Sequence, residues 1–475
     1  MKRRAVLRGI PAGVLCTLAL PPFGWWPLAL LGAAWLAVLL ERRTFGRRFW
    51  VAAGFGIGFV VPGLFWMTEF SIPGAVLAML LESSLVALFV SAAPPGRWQL
   101  LGFPAAFALA DAFRGWWPWG GVPIATLAET QIGGPLAQIA RIGGMLAVAS
   151  FVGVAAQVLA SIWRRRGRRA LGCAAVLVAV VITGLRGFDG TPGSTLRASL
   201  VQGGGKRGTR AIDTARDVVL NAHLDATAQV PDGVDLILWP EDVVDVDDDV
   251  LTTPQGDRIA GLAAMHQATL VAGVVSGKKK DFFNVARVWN PDGTPGEVYE
   301  KNHRVPFGEW IPLRSIVSHV ADLSAVPRDA HVGHGPGILD TRAGHLGVVI
   351  SYEVFFPARA RSAIRAGGTV LLVPTNASSY SSTQMPALEL GAARLRAIET
   401  GRNVLQAAPT GFSAVIDQRG RVHQHTDLGT RAVLTANVPN RNGLTPYTRL
   451  GDKPFVLAAA LALLASWLLT RRAGR

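Results

Sequence analysis

The sequence predicts a polytopic α-helical membrane bundle of about eight spans joined to an α/β domain. Half of the 475 residues are hydrophobic and only 17% are charged, a composition typical of membrane proteins. Apolar segments fill the first 187 residues and recur near the end of the chain. Between about 195 and 437, short β-rich runs alternate with helical stretches, which indicates an α/β domain.

The apolar segments approach the ~20 residues that a membrane-spanning helix needs. They cover about 5–22, 26–41, 49–69, 73–92, 98–114, 144–163, 170–187 and 453–470. We therefore predict a transmembrane bundle over 1–189, an extracytoplasmic domain over 190–446, and a C-terminal transmembrane helix with a basic cytoplasmic tail over 447–475.

Clusters of basic residues predict the topology, because Lys and Arg are enriched in cytoplasmic loops. All of the clusters fall on one side if both termini are cytoplasmic, and the stretch between the seventh and eighth spans then faces outward. The clusters precede span one and follow spans two, four, six and eight: Lys2–Arg8, Arg42–Arg48, Arg97, Arg164–Arg169 and Arg471–Arg475.

The net charge of +15 does not indicate a nucleic-acid-binding surface. Residues 190–446 contain 25 Lys and Arg against 25 Asp and Glu, so the excess lies beside the apolar segments. Cys16 and Cys173 both lie in apolar segments, which excludes a cysteine nucleophile or a disulfide from the α/β domain. The nine histidines show no metal-ligand spacing, and we expect neither a metal nor a cofactor.

The α/β domain is predicted to contain apolar central strands, such as "LILW" and "VLLV". Strands apolar on both faces imply a sheet covered on each side by helices or by a second sheet. Strands are predicted at 197–202, 234–240, 268–275, 283–289, 346–350, 369–374, 403–409, 412–417 and 432–438, and helices at 209–229, 255–266, 357–366 and 386–400.

Reactive residue types stand at or just beyond the ends of three β-rich runs. "LILWPED" ends in Glu241, "GEVYEKNHRVPFGEWIP" contains Lys301 and Glu309, and "GVVISYEVFFP" contains Ser351. Ligands in open α/β folds bind at such strand ends. A carboxylate, an ammonium group and a nucleophile are the groups that acyl transfer requires.

These stretches resemble the nitrilase, or carbon–nitrogen hydrolase, superfamily, whose catalytic residues are Glu, Lys and Cys in that order. The whole layout resembles the apolipoprotein N-acyltransferase family within it. The strings that carry the resemblance are "KNHRVPFGEWIPL", "YEVFFP", "ARLRAIETGR" and "NGLTPYTRLGD". The resemblance implies an αββα sandwich for the α/β domain.

The resemblance also implies an activity and a set of roles. The family transfers a fatty acyl chain from a membrane phospholipid to the α-amine of a diacylglyceryl-cysteine at a lipoprotein N-terminus. Glu241 would be the general base, Lys301 the oxyanion stabiliser and Glu309 a supporting carboxylate, while Tyr352 and Glu353 match the residues that follow the nucleophile.

Simpler interpretations of these residues stay open. Glu241 could cap a strand end, Lys301 could be a surface lysine, and Glu309 could pair with Arg304 or Arg314. Tyr352 and Glu353 could serve only packing and hydrogen bonding.

Ser351 departs from the family, because it stands where the family has its nucleophilic cysteine. An alcohol is far less acidic than a thiol and needs a well-placed base. Glu241 is a weak base unless burial raises its pKa. Three interpretations of Ser351 therefore stay open. It is the nucleophile, or it marks a weakly active or inactive paralogue that binds lipid or lipoprotein, or it was introduced in place of cysteine to trap a substrate.

A second departure follows "LLVPTNAS", where Asn376 is kept but the family's neighbouring Asp and Trp are missing. A membrane-anchored amidase is a further alternative function, although it gives the membrane bundle no purpose. The expected location is the cell membrane. The expected partners are a phospholipid donor and a lipoprotein acceptor, and the sequence indicates no particular oligomeric state.

Overall fold

A computed structural model describes residues 2–41, 43–69, 71–205, 215–277, 281–319, 323–324, 326–377 and 382–473. The chain divides into two compact units: unit 1 combines Met1–Phe188 with Thr445–Arg475, and unit 2 is Asp189–Leu444. Each unit is described by itself below.

Unit 1 is helical, and a helix covers the larger part of each predicted apolar segment. Its helices are α1 (Lys2–Thr17), α2 (Trp26–Leu40), α3 (Phe45–Gly63), α4 (Ile72–Ala92), α5 (Gln99–Arg114), α6 (Ala140–Trp163), α7 (Gly167–Arg186), α13 (Pro446–Leu450) and α14 (Lys453–Ala473).

Four helical segments in the described part of unit 1 are long and apolar enough to cross a membrane: Ile72–Ala92, Pro135–Trp163, Gly167–Arg186 and Lys453–Arg472. The helices α1, α2, α3 and α5 contain 16, 15, 19 and 16 residues. All four are shorter than the ~20 residues that span the hydrocarbon core, and α1 and α3 also carry basic residues in their first turns. The membrane character is thus clear, whereas the count of eight spans stays a prediction.

Glycines allow α1 and α3 to pack closely. Gly9 and Gly13 of α1 face α3, and Gly54 and Gly58 of α3 face α1. A Cβ atom at Gly13 would lie 2.8 Å from the backbone nitrogen of Phe59, which is nearer than a carbon atom can approach. Small residues four positions apart are a typical means of helix association in membranes, where close van der Waals contact replaces the hydrophobic effect.

Unit 2 contains fourteen strands in its described residues. They are β1 (Thr191–Gln202), β2 (Leu236–Leu238), β3 (Val244–Val246), β4 (Thr269–Gly277), β5 (Asp281–Trp289), β6 (Pro295–Glu300), β7 (Asp329–Ala330), β8 (Ile338–Thr341), β9 (Gly344–Val348), β10 (Val370–Pro374), β11 (Val404–Ala407), β12 (Ala414–Ile416), β13 (Val422–His425) and β14 (Ala432–Asn442). Its helices are α8 (Arg216–Thr227), α9 (Pro254–His266), α10 (Arg314–Val317), α11 (Pro357–Arg365) and α12 (Met385–Thr400).

The strands form two sheets that pack face to face. The first has the order β14-β1-β2-β4-β5-β6, with β3 and β7 paired to β4 and β5, and the second has the order β13-β12-β11-β10-β9-β8. Leu200 and Leu238 of the first sheet share a buried cluster with Val348, Leu372 and Leu405 of the second.

Helices cover the outer faces of both sheets. On the first sheet, Leu220 of α8 and Ile259 of α9 belong to a second buried cluster with Trp239. On the second sheet, α11 packs against β9 and β10, and α12 packs against β11 and β12. The α/β prediction is confirmed, and its layers are helices, sheet, sheet and helices.

The strands that begin and end unit 2 lie at one edge of the first sheet. β1 and β14 are antiparallel neighbours that pair from Thr191 with Asn442 to Gln202 with Ala432, so the first and last strands of unit 2 lie side by side. β6 and β13 were not among the predicted strands, because Pro295 and Gly296 in one and polar residues in the other hide the apolar alternation. The predicted helix at 209–229 is observed from Arg216, and 209–214 lie outside the described residues.

Candidate active site

Three of the predicted residues meet in one buried ionic cluster. The Lys301 ammonium donates to Glu241 Oε1 at 2.7 Å and to Glu309 Oε1 at 2.8 Å. The side chains of Lys301 and Glu241 are 3% and 4% exposed. Glu241 follows β2 and Lys301 follows β6, so the ends of two strands of one sheet position the cluster. Lys301 is therefore not a surface lysine, and Glu241 is more than a strand-end cap.

Asn284 completes this cluster from β5. Its amide nitrogen donates to Glu241 Oε1 and to Glu309 Oε1, both at 2.9 Å. The other carboxylate oxygen of Glu309 accepts from the backbone N–H of Val305 at 2.7 Å. The Glu309 carboxylate is thus held by three groups and lies partly buried beside Lys301.

The alternative pairing of Glu309 with Arg304 or Arg314 is wrong. Arg304 donates to the carbonyl of Ala330 and lies over the ring of Trp310, while Arg314 pairs with Asp329.

Burial and charge set the protonation of the pair. Burial raises the pKa of Glu241, and the ammonium of Lys301 lowers it only in part. Burial would lower the pKa of Lys301, but the charges of Glu241 and Glu309 and their hydrogen bonds outweigh it, so that this pKa rises above its ordinary value. Lys301 is a fixed cation, and Glu241 is a stronger base than an exposed glutamate.

Ser351 begins a 3-10 turn, Ser351–Phe355, three residues after β9 ends at Val348. Its φ is +46°, in the left-handed region that non-glycine residues rarely occupy. The hydroxyl donates to Glu389 Oε1 at 3.3 Å, and its oxygen lies 3.4 Å from Thr375 Oγ1. The backbone thus turns sharply to bring this hydroxyl to the carboxyl ends of β9 and β10.

Glu389 links Ser351 to the ionic cluster. Its carboxylate also accepts a short hydrogen bond from Thr375, and it senses the charges of both Glu241 and Lys301. All five of these side chains are buried. The three strand ends singled out in the sequence therefore converge on one region of unit 2.

Glu353 holds the two loops of this region together. Its carboxylate accepts from the backbone N–H groups of Ile350 at 2.9 Å, Asn302 at 2.8 Å and His303 at 3.0 Å. Tyr299 also donates to it, at 2.9 Å. One buried carboxylate therefore joins the residue before Ser351 to the two residues after Lys301.

Tyr352 has a different environment. Its ring packs edge-on against Phe356 at 5.0 Å between centroids. This buried aromatic contact fits a packing role.

The comparisons with known proteins agree with this layout. The family model for the apolipoprotein N-acyltransferase N-terminal domain matches residues 12–159, and the carbon–nitrogen hydrolase model matches residues 197–447. The apolipoprotein N-acyltransferase of Azotobacter vinelandii is 30% identical over 98% of this chain and 95% of its own length. The chain belongs to the apolipoprotein N-acyltransferase family.

Other similar proteins include the apolipoprotein N-acyltransferase of Vibrio parahaemolyticus, which is 27% identical over 97% of this chain and 96% of its own length. Among solved structures, Saccharomyces cerevisiae Nit3, of branch 10 of the nitrilase superfamily, is 18% identical with a TM-score of 0.39 and covers 53% of this chain and 92% of its own.

Four residues of the cluster in this apolipoprotein N-acyltransferase family member were not predicted: Asp242, Asn284, Thr375 and Glu389. Asn284 interrupts the apolar strand "FNVARVW", and Thr375 follows the apolar strand β10, so both carried a weak signal. Glu389 lies within α12, where the sequence shows only a helical charge. Its role depends on a contact with a residue 38 positions away, which no local pattern reveals.

Asp242 lies next to Glu241 and accepts from the Asn376 amide at 3.1 Å. Burial, together with the charge of Glu241, raises the pKa of Asp242 to about 8, so this carboxyl is mostly protonated at neutral pH. Asn376, which matches the family pattern, is thus hydrogen-bonded to Asp242, the residue that follows Glu241. In the stretch after Asn376, where the chain departs from the family pattern, Ala377 is buried, and residues 378–380 lie outside the described residues.

Gly273 of β4 lies directly against the backbone of Pro240 and Glu241, where a larger residue has no space. A Cβ atom there would clash with the carbonyl of Pro240 and with Cα of Glu241. We expect Gly273→Ala to displace Glu241 and to destabilise the fold by about 1–3 kcal/mol, as overpacking of a core does. Acyl transfer and thermal unfolding of the purified protein measure the two effects. Gly261→Ala, where a Cβ meets open space, is the matched control, and an equal loss in both variants would contradict the interpretation.

Proposed function

We propose that this chain transfers a fatty acyl chain from a membrane phospholipid to the free α-amine of a diacylglyceryl-cysteine at a lipoprotein N-terminus. The observation that carries the proposal is the buried contact of Lys301 with Glu241 and Glu309, linked through Glu389 to the Ser351 hydroxyl. These groups supply a cation, carboxylate bases and a nucleophile in a chain of an N-acyltransferase family.

The reaction proceeds in two halves. Ser351 Oγ attacks the carbonyl carbon of the donor ester, Lys301 stabilises the oxyanion, and a lysophospholipid leaves. The acceptor amine then attacks the acyl-serine ester and Glu241 takes the amine proton. As the ester bond breaks, this proton passes on to the leaving Ser351 Oγ, which restores the hydroxyl and the ionised Glu241. Glu309 and Asn284 keep the ammonium of Lys301 and the carboxylate of Glu241 oriented for both halves.

The membrane arrangement belongs to the same proposal. Eight spans with both termini in the cytoplasm place unit 2 outside, where lipoprotein acceptors are exposed. The basic clusters at Lys2–Arg8, Arg97 and Arg164–Arg169 support this orientation. Trp116, Trp117 and Trp119 are exposed aromatic residues suited to a membrane–water interface. Arg42 and Arg475 of the predicted basic clusters lie outside the described residues.

A weakly active or inactive lipid-binding paralogue is the second candidate function. Ser351 favours it, because an oxygen ester is a poorer acyl donor to an amine than a thioester. The buried cluster of Lys301, Glu241 and Glu309 favours the enzyme, since an inactive protein has no chemical need for a buried cation between two carboxylates.

The decisive test supplies the purified full chain with a phospholipid carrying a labelled acyl chain and a diacylglyceryl-cysteine peptide. We expect the label to appear on the α-amine of the peptide, and a peptide with an acetylated N-terminus is the control. Binding of the peptide without transfer would favour the paralogue. Transfer by Ser351→Cys but not by the natural chain would reject serine as the nucleophile and keep the family's reaction. Hydrolysis of small amides without peptide labelling would favour an amidase.

A further inference from the structure

The chemistry of Ser351 requires a base that the predicted residues do not obviously provide. A serine hydroxyl is a weak nucleophile unless a neighbouring group takes its proton. Glu241 Oε1 already accepts hydrogen bonds from the Lys301 ammonium at 2.7 Å and from the Asn284 amide at 2.9 Å. In the described part of the chain, no hydrogen bond joins Glu241 to Ser351. Glu241 is thus hydrogen-bonded to the Lys301 ammonium, and the Ser351 hydroxyl has a different carboxylate as its partner.

Histidine does not fill this role either. His303 follows the Lys301 loop, but its ring stacks on Phe356 with the centroids 4.0 Å apart. Burial, with the charge of Arg359, lowers the pKa of His303 to about 4, so its ring is neutral and a poor proton acceptor at neutral pH. Among the described residues, no histidine is hydrogen-bonded to Ser351.

Glu389 is the carboxylate that contacts the Ser351 hydroxyl, at 3.3 Å from Oε1. It lies in the second turn of α12, which packs against the 3-10 turn that carries Ser351. Thr375, at the end of β10, donates a short hydrogen bond to the same Oε1 and contacts Ser351 Oγ. Three side chains from three elements therefore form a closed, buried triangle around one hydroxyl proton.

We propose that Glu389 is the general base that takes the proton of Ser351 when the acyl-enzyme forms, and that Thr375 is the positioning residue that aims its carboxylate. This inference rests on the proposed function, with Ser351 as the nucleophile. It divides the proton transfers between two glutamates: Glu389 serves the hydroxyl, and Glu241, beside Lys301, serves the acceptor amine.

The step balances in protons and electrons. The Oγ–H bond of Ser351 breaks and its proton moves to Glu389, while the electron pair on Oγ forms a bond to the donor carbonyl carbon. The carbonyl π pair becomes the oxyanion beside Lys301. When the oxyanion collapses, the bond to the lysophospholipid oxygen breaks, and the protonated Glu389 returns its proton to that oxygen. The products are an acyl-Ser351 ester, a lysophospholipid and an ionised Glu389.

The environment of Glu389 suits a base that works near neutral pH. Burial raises its pKa to about 7; the hydrogen bond from Thr375 lowers it, and the charge of Glu241 raises it. The charged groups that act on it come from other elements, namely Glu241 after β2 and Lys301 after β6. On its own helix, Arg396 and Glu399 pair with each other. A base is most effective when its pKa lies near the working pH.

The test measures single-turnover release of lysophospholipid by the full chain in four forms: natural, Glu389→Gln, Ser351→Cys and the double variant. We expect Glu389→Gln to slow release by about 10²-fold to 10⁴-fold in the serine protein, the usual contribution of a general base. In the cysteine protein we expect the same change to cost less than about 10-fold, because a thiol with a pKa near 8.5 ionises with little help.

The pH profile separates a base from a structural role. Glu389 must be ionised to accept the proton, so we expect the rate of acyl-enzyme formation to rise with pH through about 7 in the natural chain. The rise should vanish in Glu389→Gln and persist in Glu389→Asp, which keeps a carboxylate. Glu297→Gln, at an exposed carboxylate of unit 2, is the matched control, and thermal unfolding checks that each variant is folded.

Each outcome decides between the two proposals. Equal losses from Glu389→Gln in the serine and cysteine proteins, or an unchanged pH profile in that variant, would overturn the assignment of Glu389. Absence of lysophospholipid release by the natural chain, with release by Ser351→Cys, would instead overturn serine as the nucleophile and with it the need for Glu389. A pH-dependent loss confined to the serine protein supports the inference.

Discussion

Replacing Ser351 with alanine is expected to abolish the labelled acyl-enzyme and to lower acyl transfer by about 10⁴-fold to 10⁶-fold, as removal of a nucleophile does. In the proposed reaction Ser351 Oγ receives the acyl chain, and no other hydroxyl among the described residues lies in the same way beside both Glu389 and Thr375. Incubation with labelled phospholipid, followed by denaturation and detection of protein-bound label, measures the effect. We expect folding to persist, because alanine fits the same space.

The cysteine variant provides the internal check on this result. Ser351→Cys should carry its label as a thioester, which neutral hydroxylamine cleaves, whereas the oxygen ester of the natural chain resists it. Ser315→Ala, at an exposed serine of unit 2, controls for nonspecific effects of the substitution. Retention of protein-bound label in Ser351→Ala would place the nucleophile elsewhere.

Replacing Lys301 with methionine is expected to remove both activity and stability. The loss of an oxyanion donor costs about 10²-fold to 10³-fold in rate. The change also leaves Glu241 and Glu309 facing each other without the cation that holds both. Breaking a buried ion pair on one side typically costs about 3–5 kcal/mol. Acyl transfer and the midpoint of denaturant unfolding measure the two losses.

The two losses can be separated by removing the carboxylate charges as well. The triple variant Lys301→Met, Glu241→Gln, Glu309→Gln should regain most of the stability, because no uncompensated charge remains buried, while acyl transfer stays absent. Asn284 can still donate to both of the new amide oxygens, which preserves part of the hydrogen bonding. If the triple variant is no more stable than Lys301→Met, then electrostatic repulsion is not the cause of the instability.

Much of the site was predictable because functional side chains in α/β folds gather just beyond the carboxyl ends of strands. Glu241, Lys301 and Ser351 each follow a strand, and the apolar runs of β2 and β9 reveal two of these three positions in the sequence. The supporting residues were less predictable. Glu353 was expected to assist, but its part in joining two loops depends on backbone N–H groups of Asn302 and His303, about fifty positions away, and backbone amides leave no trace in a sequence.

In the fold too, elements marked by local sequence signals were predicted well, and elements without such signals were missed. Helices α9, α11 and α12 begin and end within one residue of the predicted bounds, because proline at the start of α9 and α11 and glycine after α12 mark them. The edge strands β6, β8 and β13 were missed, since exposed edge strands lack the apolar pattern of buried ones. The membrane character followed from composition, but helix lengths alone do not fix the number of spans.

The pairing of β1 with β14 has a topological meaning. Thr191, at the start of β1, is paired with Asn442, at the end of β14. The polypeptide therefore enters and leaves unit 2 at neighbouring points. Termini that lie close together are the usual geometry of a domain inserted into another sequence, because the host chain can continue past it with little rearrangement. Unit 2 thus interrupts the sequence of unit 1, whose two segments are Met1–Phe188 and Thr445–Arg475.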